Sequence, residues 1–242
     1  MANTHSIDLE ASSLQALYIF DATQTGLDLS GDHTVECWVN MESLPSSGNY
    51  MMLFNKHGAS GSFGYLWGIY NDGGTYKLKG GVSSSGVDFD FKTSDDIAIT
   101  TGTWYHLAVS FDASEHSASF YKNGSLVSTD SSGSLTSINN NNQNLFVGCS
   151  FQGSYASFLD GKMDELKIYS DVRTASEISQ DRYSSPATGD NLVLYCPLNN
   201  SGDDESGNNN DLLLLNAPSY STTVPFTNYG NAGGAFLYQL LS

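Results

Sequence analysis

The chain has 242 residues and carries 9 Lys+Arg against 26 Asp+Glu, a formal net charge of −17. That balance excludes electrostatic capture of nucleic acid, which needs a basic face to displace the counterions of the phosphate backbone. Aromatic residues make up 12% of the chain and charged residues 14%, so it can bury enough apolar surface to offset its conformational entropy, which argues against disorder. No apolar run approaches the roughly 20 residues that span a bilayer; Leu212 to Leu215 is typical of the longest. Met1 to Thr4 lack the basic and apolar regions of a secretory signal. Cys37, Cys149 and Cys196 lie far apart with no CxxC spacing. They read as small buried hydrophobes rather than as a zinc site or a disulfide framework. One all-β domain over residues 1–242 is expected, with its core over about 6–216.

In chain order, HTVECWVNM (His33 to Met41) alternates Val35, Cys37 and Val39 with Glu36, Trp38 and Asn40, the period-2 pattern of a sheet strand. YMMLFNK, GYLWGIY, TYKLKGG and DIAIT follow as short strands between Gly, Ser and Asn clusters. TWYHLAVSFD (Thr103 to Asp112) places Leu107, Val109 and Phe111 on one face. SASFY and SLVST flank Lys122, Asn123 and Gly124, where Asn-Gly supplies the positive φ values of a tight hairpin. NLFVGCS and MDELKIY add strands, and spacing of this kind implies an antiparallel sandwich. One short helix is predicted near 174–183, with Thr174 and Glu177 forming a capping box and Ala175 and Ile178 facing inward. A loop over Ser184 to Asp190, a strand at Leu192 to Cys196 and an acidic turn with Asp203, Asp204, Glu205 and Asp211 come next. That turn lacks the spacing of an EF-hand and reads as solvated. The tail, 217–242, is an edge strand or loose.

Several of these segments resemble, in order, the LamG-like jelly-roll domains of the concanavalin A-like lectin/glucanase superfamily, the laminin-G-like type. The opening SIDLEASSLQALYIFDATQTGLDLSGDHTVECWVN resembles the family's first strands, with a Gly-Asp turn leading to Trp-Val. GTWYHLAVSFD, YKNGSLV, FLDGKMDELKIYSDVRTASEI and NLVLYCPLNNSGDDESGNNND resemble four later ones, with Cys196 standing where the family more often has an aromatic. The resemblance implies an all-β, two-sheet antiparallel jelly roll with one sheet concave. It also implies a binding or adhesion module for carbohydrate or a surface protein. Such a module would be extracellular or at the cell surface, with neighbouring domains of a longer chain. Two other functions stay open: a structural spacer or assembly domain without a small ligand, and a polysaccharide-degrading enzyme. Fold alone does not choose between them.

A retaining glycosidase needs two carboxyl groups about 5 to 5.5 Å apart. The seven glutamates are isolated from one another, and the nearest approach to paired acids is Asp88 and Asp90 in VDFDF. No catalytic residue is therefore assigned. Glu36 shares a strand face with Trp38, which could bury the acid partly and raise its pKa; a satisfied carboxylate at a sheet edge is the alternative. His106, on a sheet face, reads as hydrogen-bonded structure. Sugars present apolar C–H faces ringed by hydroxyls, so aromatic platforms beside amide or carboxylate groups are sought. Trp67, Tyr70, Asn71 and Asp72 are the candidate ligand residues, and the Asn139 to Gln152 region is a second candidate loop. By the resemblance, Asp164 would hold a structural calcium, with Asp32 as its early-loop partner; the oxygen-rich Gly and Asn turns suit a hard cation.

Overall fold

The computed structural model describes residues 2–185 and 191–228. The first strands are β1 (Ser6–Leu9), β2 (Ala16–Ile19), β3 (His33–Met41), β4 (Tyr50–Lys56), β5 (Tyr65–Asp72) and β6 (Thr75–Val82). They are followed by β7 (Asp90–Asp96), β8 (Trp104–Asp112), β9 (Ser117–Lys122), β10 (Ser125–Asp130) and β11 (Leu145–Val147). The last are β12 (Ser150–Phe151), β13 (Tyr155–Ala156), β14 (Gly161–Tyr169), β15 (Leu192–Cys196), β16 (Leu213–Leu215) and β17 (Ser219–Ser221). Helix α1 (Ala175–Asp181) lies between β14 and β15. Two antiparallel sheets pack as a jelly-roll sandwich. One runs β10-β9-β8-β3-β14-β1-β17, with β15 also paired to β14, and the other runs β16-β2-β11-β4-β5-β6-β7.

The inward residues are those the alternation marks. Val35, Cys37 and Val39 of β3 meet Leu107 and Val109 of β8 on the side that faces Trp67, Ile69 and Leu78 of the second sheet. Asn123 (φ 52°) and Gly124 (φ 77°) make the tight β9–β10 turn, a left-handed pair that Asn-Gly accommodates at low cost. The capping box forms as predicted: the Thr174 Oγ1 accepts from the Glu177 N–H, and the Glu177 carboxylate accepts from the Thr174 N–H. Ile178 packs on Ala108 and Tyr121, while Ala175 is exposed. The cysteines are free and buried. The acidic turn after β15 is bound back to the sandwich rather than simply solvated. Asp204 Oδ1 accepts from the Tyr195 and Ser206 N–H groups, Asp204 Oδ2 accepts from the Asn210 N–H, and Asp211 Oδ1 accepts from the Asp204 N–H. Of the tail, Ser219–Ser221 pairs with β1 as an edge strand, whereas residues 229–242 and most of the 184–190 loop lie outside the described residues.

The outer faces of the two sheets differ, and this difference positions the site. On the β3/β8/β14 sheet, Glu36, Trp38, His106 and Lys167 point away from the core, yet all are buried. Helix α1, the turn after it and the segment after β17 cover them: Tyr183 and Phe226 pack on Trp38, whose Nε1 donates to the Arg182 carbonyl at 2.8 Å. A bulge in β14 between Asp164 and Lys167 inserts Glu165 at φ 53° and buries it there. No helix of the described residues is long and apolar enough to cross a membrane.

Candidate functional site

The outer face of the second sheet is divided in two. Residues Tyr18, Phe146, Asn55, Leu66, Gly81 and Phe91 stand opposite one another in a single row across six strands, β2, β11, β4, β5, β6 and β7. Over the first of these strands folds the β12–β13 hairpin, with the Phe151 ring 5.7 Å and the Tyr155 ring 5.6 Å from that of Phe146. Its trailing segment ends the cover at β4, where the Met52 N–H donates to the Ser157 carbonyl. Beyond β4 the cover is partial: Leu66, Gly68 and Gly81 stay buried, whereas Tyr70, Asp72, Lys77, Lys79 and Phe91 reach the surface and form the open half-face. There, Gly68, Tyr70 and Asp72 of β5 alternate with the inward Trp67 and Ile69, and Lys77, Lys79 and Gly81 of β6 alternate with the inward Leu78 and Val82.

Aromatic rings frame this open half-face. Tyr50 and Tyr70 sit 4.7 Å apart across the β4–β5 ladder, both half-buried. Phe91, on β7 beyond β6, is 54% exposed and packs edge-on against Phe89 at 4.6 Å. Between Leu66 and Phe91, Gly81 is buried against the Phe89 ring: a Cβ there would lie 2.0 Å from the Asp90 carbonyl oxygen and 3.0 Å from Phe89 Cε1, so no larger residue fits. At the rim, His57 stacks on Phe63 at 4.3 Å. Burial lowers the His57 pKa to about 4 and keeps the ring neutral. Apolar ring faces next to phenolic hydroxyls and an ammonium group can take up a flat, partly apolar, hydroxyl-rich ligand.

The four ligand residues proposed from sequence are separated by this arrangement. Tyr70 lies on the open half-face, and Asp72 is exposed at its margin, paired with Lys77 at 2.8 Å. Trp67 points the other way: it is wholly buried in the core and donates its Nε1–H to His33 Nε2 at 3.0 Å, so no ligand can stack on it. Asn71 is a buried turn-former whose Nδ2 donates to the Pro45 carbonyl and whose Oδ1 accepts from the Gly74 N–H. Tyr50, Lys79 and Phe91 are the partners of Tyr70 that sequence reading missed. They sit on three strands that only the register unites.

Asp164 and Asp32 do not form one calcium site. Asp32 Oδ1 accepts from the Ala113 N–H, and Asp164 stands opposite Trp38, six residues further along β3 and roughly 20 Å away at about 3.3 Å per residue. Asp164 is wholly buried, takes hydrogen bonds from the Asn3 side-chain amide and the Glu165 N–H, and is held by burial well above the usual carboxylate range. Elsewhere Asp8, Glu10 and Glu42 converge, and Lys162 already pairs with Asp8 and Glu42 there.

The possible acid pair also comes apart. Asp88 lies in the turn before β7, not on a strand, and accepts from the Ser83 and Ser84 hydroxyls and from the Ser84 and Ser85 N–H groups. Led by the Ser84 hydroxyl, these bonds hold it far below the usual range, the reverse of what a general acid requires. Asp90 accepts from the Ser134 and Leu135 N–H groups. His106 is structural but not hydrogen-bonded: neither ring nitrogen has a partner, and burial keeps the ring neutral, so its 3.5 Å approach to Glu36 is not an ion pair.

With this geometry established, comparison with known proteins gives the class. The family model for the concanavalin A-like lectin/glucanases superfamily matches residues 18–179, and the chain belongs to that superfamily. No curated protein matches the sequence. Among solved structures, the chain is similar to a candidate carbohydrate-binding protein from Bacteroides ovatus, at TM-score 0.69 and 17% identity over 94% of this chain and 62% of that one. It is similar to a heptameric SAP-like pentraxin from Limulus polyphemus at TM-score 0.64 and 15% identity, over 91% and 96% of the two chains. A third likeness is to the sialidase CBM40 module of Ruminococcus gnavus bound to α2,3-sialyllactose, at TM-score 0.52 and 15% identity over 74% and 98%. At these identities the likeness is one of fold.

Proposed function

We propose that the protein is a non-catalytic carbohydrate-binding module and that it takes its ligand on the open half of the β4–β7 face. The observation that carries this reading is the frame of Tyr50, Tyr70 and Phe91 rings around Lys79, on the broad sheet face that no helix covers among the described residues. Rings at the surface of a sheet suit the C–H face of a pyranose, and the phenolic groups suit its hydroxyls. The solved neighbours, one of them holding an oligosaccharide, support a sugar-binding use of this fold. A binding role fits Asp88 and Asp90 better than catalysis does, since backbone and hydroxyl donors occupy both.

The test is a glycan array followed by calorimetry on the best binders. Tyr70→Ala with Phe91→Ala should weaken binding about tenfold or more, since each aromatic contact is worth on the order of 1 kcal/mol. Both rings lie on the surface, so the melting temperature should move little. Unchanged affinity in the folded double variant would remove this face from the reading, and silence across the array would remove the sugar.

A further inference from the structure

Resting on that carbohydrate reading, we infer that the open half-face selects acidic sugars, with Lys79 meeting the sugar carboxylate. The nine cations of the chain are not all answered alike. Lys56, Lys77, Lys92, Lys162, Lys167 and Arg173 each have a carboxylate within 4.0 Å. Lys122 donates to the Ile97 carbonyl, and Arg182 donates to the Ser179 and Asn123 carbonyls. Lys79 alone, among the described residues, has neither a carboxylate within 4.0 Å nor a hydrogen-bond acceptor, and its ammonium meets aromatic rings instead. In a chain of net charge −17 this is not for want of acids. Asp72, Asp95 and Asp96 are close by and act on Lys77, while Asp72 reaches Lys79 only as a weaker charge–charge attraction from beyond 4.0 Å.

What surrounds the Lys79 ammonium is aromatic. Its Nζ lies 4.2 Å from the Tyr70 ring centroid, 5.6 Å from that of Phe91 and 5.9 Å from that of Tyr50. Tyr70 and Phe91 come from the strands on either side of β6, so the charge is flanked in the sheet plane by the rings a sugar would stack on. Ring faces attract a cation but accept none of its N–H bonds in the manner of a carboxylate. The half-buried ammonium therefore keeps its three donors for a ligand seated on the face. A neutral hydroxyl could accept one of them; a carboxylate does so with roughly twice the strength because the bond is charge-assisted. One compact positive charge matches one carboxylate, whereas a doubly charged phosphate is better served by the fork of an arginine. The distant acids are screened beyond about 8 Å at physiological ionic strength, and of the near ones Asp72 is already paired with Lys77, so the unpaired ammonium of Lys79 is the charge a ligand on this face meets.

The experiment is an array of galacturonate, glucuronate, alginate and N-acetylneuraminate oligomers, each printed beside its carboxyl methyl ester and beside neutral oligomers. The wild-type protein should bind at least one acid about tenfold tighter than its ester. Lys79→Met should bring that ratio close to one, and Lys79→Arg should keep a clear preference. Esters bound as tightly as acids, or a ratio that survives Lys79→Met, would overturn the inference and leave the sugar reading standing. Absence of binding to every acidic and neutral oligomer would overturn the sugar reading and the inference with it. The acid-to-ester ratio is measured first on the wild-type protein, where it is independent of how well a variant folds.

Discussion

Replacing Lys167 with methionine is expected to destabilise the fold by roughly 3 to 5 kcal/mol near pH 8, and by clearly less near pH 5. Lys167 is fully buried beneath α1, where its Nζ lies 3.6 Å from Glu36 and 3.9 Å from Glu165 and donates to the Asp181 carbonyl at 2.6 Å. Methionine keeps the stem and removes the charge, so lost packing does not account for the effect. Burial pushes the Glu36 pKa from 4.5 up to about 7, against the opposing pull of Lys167. A carboxyl whose folded pKa exceeds its unfolded one contributes stability that is complete below about pH 4.5 and is lost as the pH rises through about 7. Without Lys167 the folded pKa moves higher still, which enlarges the loss at pH 8, while at pH 5 Glu36 is protonated and needs no cation. His33 and His57, each lowered to about 4 chiefly by burial, act in the opposite sense below pH 6.5. Both proteins share them, so they cancel in the difference. Chemical denaturation of both proteins at the two pH values measures the effect; an equal loss at both would contradict the charge argument.

The second large effect concerns Trp67. Trp67→Ala should cost roughly 3 to 5 kcal/mol from the cavity alone. The surroundings are fitted to the indole: a Cβ at Gly80 would stand 2.6 Å from its Cε3, and Phe120 meets it edge-on at 6.2 Å. A polar loss adds to this. His33 is neutral and its Nδ1 contacts the Gly31 carbonyl at 3.0 Å, so Nδ1 carries the proton and Nε2 accepts from the indole. Trp67→Phe fills most of the space but orphans that nitrogen, at about 1 to 3 kcal/mol. Melting curves should therefore rank wild type above Phe and Phe above Ala. Sugar affinity of the Phe variant should stay within about twofold of wild type, a change under about 0.5 kcal/mol. A Phe variant that folds normally and loses the sugar would return Trp67 to the site.

The misplacement of Trp67 shows where sequence stops being informative. In β5 both alternating sets are apolar, Tyr65, Trp67 and Ile69 against Leu66, Gly68 and Tyr70, so periodicity separates two faces without saying which is inward. Only the register with β4 and β6 decides it. The Asn123–Gly124 hairpin and the Thr174 capping box were legible because each is a local requirement on φ or on unpaired N–H groups, met within four residues. The platform is the opposite case, since Tyr50, Tyr70, Lys79 and Phe91 are brought together by three ladders. A signal was present: Phe91 stands in the polar strand DFKTSDD, and glycines interrupt β5 and β6 where close backbone neighbours leave no room for a Cβ. Glu36 was readable as a buried acid through Trp38 on the same face, but its proximity to Lys167 depends on the β14 bulge.

The central claim, that the exposed face of β4–β7 holds the sugar, is tested most directly by amide NMR of the labelled protein titrated with the tightest-binding oligosaccharide from the array. The account predicts that shift changes concentrate on Tyr50, Gly68, Tyr70, Lys79, Gly81 and Phe91, with β3, β8 and β14 beneath α1 unmoved. Changes confined to β3, β8, β14 or the acidic turn after β15, with the open half-face silent, would contradict it.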